Sequence, residues 1–97
     1  MRSEAASGSI TATMQITFKL YASLTDYLPA DKRSSNQMPL DIAPEATIAD
    51  IIAPFSLPMK MVHLVLINGV YVAPEDRGTR TLAEGDVLAI WPPIAGG

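Results

Sequence analysis

Few side chains in this sequence can do covalent or acid–base chemistry. Histidine occurs once, as His63, and cysteine not at all. The missing thiols exclude a sulfur nucleophile, disulfide staples, thiolate zinc sites and iron–sulfur ligation. A zinc site built from nitrogen and oxygen alone needs more ligands than one histidine supplies, so no metal or bound cofactor is expected. His63 sits in the apolar run 62–67 and reads as a strand histidine with a satisfied hydrogen bond. The carboxylates fall where caps and turns need them: Asp26 and Asp50 follow Ser23 and Thr47 at capping-box spacing, and Asp86 closes a Glu84-Gly85-Asp86 turn. Met59 and Met61 read as packing filler around Lys60, Gly69 as a turn glycine outside any phosphate loop, and Arg77 and Arg80 as solvated charge.

The remaining candidate is the main chain itself. The sequence closes on Pro92-Pro93-Ile94-Ala95-Gly96-Gly97. Glycines without a Cβ make a thread thin enough for a narrow channel in another protein, and the prolines hold its base clear with little ordering cost. The reactive group is then the Gly97 α-carboxylate, which is ionised at neutral pH and a poor electrophile until activated, most simply by adenylation. A terminal Gly-Gly taken alone is equally an unrelated tail. Trp91, just before the prolines, reads either as a contact for a partner or as a strand-end core aromatic.

These residues need elements to hold them. The 97 residues suit one small domain, and 48% apolar with 18% charged residues is a globular balance. Net charge is −3 and Lys32-Arg33 is the one adjacent basic pair, so no nucleic-acid footprint is present. No run approaches the roughly 18 apolar residues of a membrane span. The Ser/Ala/Gly/Thr-rich residues 1–13 lack the apolar core of a secretory signal and are expected to be a disordered extension, and a cytoplasmic location is expected. A domain over residues 14–91 and a flexible tail over 92–97 follow.

Within that domain Met14, Ile16, Phe18 and Leu20 alternate with polar positions as a half-buried strand. Ser23 to Asp26 marks a short helix stopped by Pro29, and residues 30–37 a solvated loop. Leu40 and Ile42 frame a second strand. Thr47 to Asp50 caps the main amphipathic helix, with Ile48, Ile51, Ile52 and Phe55 on one face and Pro54 and Pro58 ending it. The run 62–67 is apolar enough for a strand covered on both faces. Asn68-Gly69 turns it back into Val70-Tyr71-Val72, and residues 87–91 form the last strand. This order predicts an α+β fold, a mixed sheet with a helix packed on one face.

Residues 16–24, 66–72 and above all 82–97, ending in Trp91-Pro92-Pro93-Ile94-Ala95-Gly96-Gly97, resemble the MoaD/ThiS family of ubiquitin-like sulfur carriers, most closely its molybdopterin-synthase small-subunit branch. Trp91 stands where that family more often has phenylalanine. The resemblance implies a β-grasp fold with the first and last strands parallel neighbours at the sheet centre. It implies a carrier and not an enzyme: an E1-like adenylating enzyme would use ATP to activate Gly97, and a persulfide donor would convert it to a thiocarboxylate. The acceptor would be the large subunit of molybdopterin synthase or another sulfur-accepting enzyme, with Gly96 the slender penultimate position. Pro92, Pro93, Ile94 and Ala95 would be the threaded segment, and Trp91 and Ile94 would touch the partner. The thiamin-type carrier, a modifier joined to target lysines through Gly97, and a binding module using its sheet face are the alternatives.

Overall fold

A computed structural model describes residues 13–93 of the chain. The expectations for residues 1–12 and 94–97 lie outside the described residues. The elements run β1 (Met14–Leu20), β2 (Gln37–Ile42), α1 (Ile48–Ile52), β3 (Leu64–Ile67), β4 (Val70–Tyr71) and β5 (Val87–Trp91), joined by short 3-10 turns. They build one sheet in the order β2-β1-β5-β3-β4, in which β1 and β5 are parallel and every other pair is antiparallel. This is the ubiquitin-like β-grasp arrangement.

Alternation in β1 buries Ile16, Phe18 and Leu20, and β5 adds Leu88 and Ile90 from the neighbouring position. The helix closes this face with Ile48, Ile51 and Ile52, while Phe55 beyond it meets Phe18 at a ring separation of 4.6 Å. The short helix is fully capped. Thr47 Oγ1 accepts from the Asp50 N–H and the Asp50 carboxylate accepts from the Thr47 N–H, the reciprocal box its spacing predicts. The Ile48 and Ala49 N–H groups donate to the carbonyls of Arg80 and Arg77. The loop after β4 therefore satisfies helix donors that would otherwise be orphaned.

Several expectations are corrected. The Ser23–Asp26 box does not form: Ala22 turns left-handed at φ 53, and a 3-10 helix over Ala22–Tyr27 begins with no side-chain cap. Ser23 is already inside the turn, so it cannot serve as the cap. The second strand starts at Gln37 and runs through Pro39. That is tolerated because β2 is an edge. The odd-numbered N–H groups Thr17 and Tyr21 donate toward β5, so the even positions of β1 face β2. By the same register Pro39 lies on the open side of β2, where a missing N–H is harmless and discourages pairing with another chain.

The run 62–67 is a strand only from Leu64, after a 3-10 turn at Met59–Met61, and it is covered on one face. Val65 and Ile67 are buried, whereas Leu64 and Leu66 sit on the outer face. His63 precedes the strand and is exposed. The Asn68-Gly69 hairpin forms as expected, with φ of 51° and 83°. Arg77 is not solvated charge: its half-buried guanidinium donates to the carbonyls of Val72, Val62 and His63. One planar cation thereby ties the loop after β4 to the segment entering β3.

Two measurements follow. Backbone and then side-chain hydrogen bonds from Thr47 hold the Asp50 carboxyl below its ordinary value of 3.8. A carboxyl depressed by folding stabilises the fold above its unfolded value, and that contribution disappears as pH falls through the folded value. Urea unfolding of wild type and Asp50→Asn should differ at neutral pH, and the gap should begin to narrow at about pH 4 and close as pH falls through the lower folded value; a gap that persists in strong acid would contradict the capping account. Arg77→Met leaves up to three carbonyls short of a donor and should lower stability by about 1–3 kcal/mol in chemical denaturation. Arg77→Lys should recover little, since one ammonium cannot span the fork.

Candidate carboxyl-terminal site

The candidate site begins where β5 ends. Because β5 is the central strand, its last residues are gripped from both sides. The Tyr21 N–H donates to the Ile90 carbonyl and the His63 N–H to the Trp91 carbonyl, each at 3.1 Å. At the other end of β5, Asn68 forms a clasp: its Nδ2 donates to Asp86 Oδ1 and its Oδ1 accepts from the Val87 N–H, both at 2.9 Å. The second Asp86 oxygen accepts from the Ala83 N–H. Neither end of β5 can shift without breaking cross-strand bonds.

Trp91 projects from the outer face of the sheet. Its indole lies parallel to the Tyr21 ring, with centroids 3.7 Å apart and planes within 5°. At 37% exposure it is a stacked aromatic that still shows an open face, not a buried core side chain. Leu64 is its cross-strand partner, and Leu66 stands beside Ala89 and Tyr71. Pro92 is buried and Pro93 exposed. Ile94, Ala95, Gly96 and Gly97 lie outside the described residues.

His63 is brought next to the tail base, a proximity that sequence reasoning missed, because its backbone pairs with a residue 28 positions away. Among the described residues no group of three or more His, Cys, Asp or Glu side chains is placed to hold a metal ion. No helix among them is long and apolar enough to cross a membrane.

Known proteins define the class. The Haloferax volcanii HVO 2177 protein superposes with a TM-score of 0.70 at 19% identity, covering 100% of this chain and 99% of that one. SAMP1 from the same organism gives 0.60 at 26% identity, covering 86% and 99%. Small archaeal modifier protein 1 from Methanosarcina acetivorans gives 0.59 at 18%, covering 89% and 99%. These are ubiquitin-like proteins, and the fold is theirs. No curated protein matches the chain. The model of the Mut7-C ubiquitin family matches residues 13–95, and the chain belongs to that family.

The stacked pair gives a direct optical test, since Trp91 is the sole tryptophan. Tyr21→Ala should expose the second indole face, move its emission to longer wavelength and lower stability by about 0.5–1.5 kcal/mol beyond the lost area. Unchanged emission would show that the rings do not stack in solution.

Proposed function

We propose that the chain is a ubiquitin-like modifier, a carrier and not an enzyme in itself, whose Gly97 α-carboxylate is activated by an E1-like adenylating enzyme and joined to lysine amines of other proteins. The observation that carries this is the grip on the end of β5. Hydrogen bonds from Tyr21 and His63 and the burial of Pro92 fix the origin of a segment that ends in Gly96-Gly97. A partner can then find the carboxylate at a defined reach from a rigid domain. Likeness to small archaeal modifier protein 1 of Haloferax volcanii, at 26% identity, supports the same reading.

The chemistry is simple to balance. The Gly97 carboxylate oxygen attacks the α-phosphorus of ATP, pyrophosphate leaves, and the acyl adenylate makes the carbonyl electrophilic. A lysine amine forms the amide C–N bond, the C–O bond to AMP breaks, and the amine gives up a proton. The small Gly96 lets both enzyme and acceptor approach the backbone closely. Pro93, Ile94 and Ala95 form the segment that enters the activating site, and Trp91 contacts the partner at its mouth.

A second reading is supported by the likeness of residues 82–97 to sulfur carriers. There the same adenylate is attacked by a persulfide sulfur. C–S forms, AMP leaves, and reductive cleavage of the S–S bond by a thiol frees the Gly97 thiocarboxylate. The acceptor is then the large subunit of molybdopterin synthase or another sulfur-accepting enzyme.

One incubation separates the two. Natural chain, a cognate E1-like enzyme and ATP, with and without a persulfide donor, are followed by intact mass and by tryptic mapping of acceptor proteins. Because Arg80 is the last basic residue, conjugation should leave residues 81–97 as a branch on target lysines. Sulfur carriage should instead raise the intact mass by one oxygen-to-sulfur exchange. Deletion of Gly97 should abolish both and leave the fold intact. Neither product, with an enzyme of proven activity, would sink the proposal.

A further inference from the structure

Asparagine occurs twice in the chain, as Asn36 and Asn68, and only Asn68 is followed by glycine. That dipeptide is open to a reaction with water that needs no enzyme. Glycine has no Cβ to shield its backbone nitrogen, so the nitrogen reaches the preceding carboxamide more readily than when a side chain follows. Asn68 and Gly69 are both exposed, and the space where a Gly69 Cβ would stand is empty. Solvent therefore reaches the pair. What restrains the reaction is the clasp on β5. Asn68 Oδ1 accepts from the Val87 N–H, the Asn68 N–H donates to the Val87 carbonyl, and Asn68 Nδ2 donates to Asp86 Oδ1, all at 2.9 Å. Nδ2 is the nitrogen that hydrolysis must expel, and it cannot leave while it is bonded to Asp86.

We propose that Asn68 is a hydrolytic modification site gated by this clasp: opening the clasp admits the reaction, and the product cannot close it again. The Gly69 nitrogen bonds to Asn68 Cγ as its own proton is lost, and Nδ2 takes up a proton and leaves as ammonia, giving a succinimide ring. Water then adds to one ring carbonyl, the C–N bond at that carbon breaks, and the nitrogen regains its proton. Opening at Cγ gives aspartate, and opening at the main-chain carbonyl gives isoaspartate. The net change is one amide and one water to one carboxylate and one ammonium. An aspartate at this position still suits the turn, since Asp-Gly is also a hairpin pair. It does not suit the clasp. A carboxylate has no hydrogen to offer Asp86 Oδ1, so two like charges face each other where a hydrogen bond stood. Isoaspartate in addition lengthens the main chain within a two-residue turn. Either way Asp86 keeps only its bond from the Ala83 N–H, and the start of β5 is released.

The test incubates the full chain, folded in buffer and unfolded in urea at the same pH, and maps tryptic peptides 34–60 and 61–77, which separate Asn36 from Asn68. In urea Asn68 should exchange its amide nitrogen for oxygen, while Asn36, followed by Gln37, should change far more slowly. In the folded chain the exchange at Asn68 should slow by at least about tenfold, because the clasp must open first. The consequence is read by amide hydrogen exchange at Val87, where Asn68→Asp should cost at least about tenfold of the natural protection. Asn68→Asp together with Asp86→Asn swaps donor and acceptor, keeps every bond of the clasp and removes the facing charges, so it should restore that protection. If the single variant unfolds outright, refolding by the second substitution reports the same repulsion. Equal or faster conversion in the folded chain, a rate at Asn36 matching that at Asn68 in urea, or Val87 protection untouched by Asn68→Asp would overturn the proposal. So would failure of Asp86→Asn to restore what Asn68→Asp removes.

Discussion

Parallel pairing of β1 with β5 is the constraint on which the rest of the molecule depends. Two adjacent parallel strands at the sheet centre cannot be joined by a tight turn, so the chain between Leu20 and Val87 must make a long crossover back to the end of the sheet where β1 began. Along that excursion the chain adds an edge strand on one side, a helix across one face and a hairpin on the other side. The buried side chains Phe18, Leu20, Leu88 and Ile90 come from the two central strands and receive Ile48, Ile51 and Ile52 from above. The same pairing puts the end of β5 under hydrogen bonds from both neighbours, so fold and site share one origin.

The closing devices are polar and lie at the ends of the strands. Asn68 and Asp86 lock the hairpin to the start of β5, and the Glu84 carboxylate accepts from the Gln15 N–H to tie the preceding turn to β1. Arg77 satisfies three carbonyls of segments with little regular structure. Such groups add specificity to a small core whose apolar packing alone would leave loop carbonyls short of donors. They also leave the outer sheet face open, and Leu64, Tyr71 and Trp91 stand exposed on it.

Much of this was legible in the sequence wherever the signal was local. The alternation in 14–20, the Thr47–Asp50 box and Asn68-Gly69 each carry their geometry within a few residues, and each is found as expected. Non-local terms defeated the rest. Ser23 to Asp26 has the letters of a capping box, but the turn begins one residue earlier at a left-handed Ala22, just after the Tyr21 N–H bonds to the Ile90 carbonyl, 69 positions on. Leu64 and Leu66 are apolar on a face that the helix does not cover, so hydropathy alone overstated their burial. Arg77 looked like any loop arginine because its acceptors lie up to 15 positions away. The resemblance to sulfur carriers reached the right fold, while the matching family is the Mut7-C ubiquitin one.

If, as we propose, β5 presents a main-chain carboxylate for adenylation, the reverse of that step is measurable as pyrophosphate exchange. With an E1-like enzyme, ATP and labelled pyrophosphate, the chain should drive incorporation of label into ATP, while a chain lacking Gly97 but folded as wild type should give none. Equal exchange with and without Gly97 would place the activated group elsewhere and contradict the account.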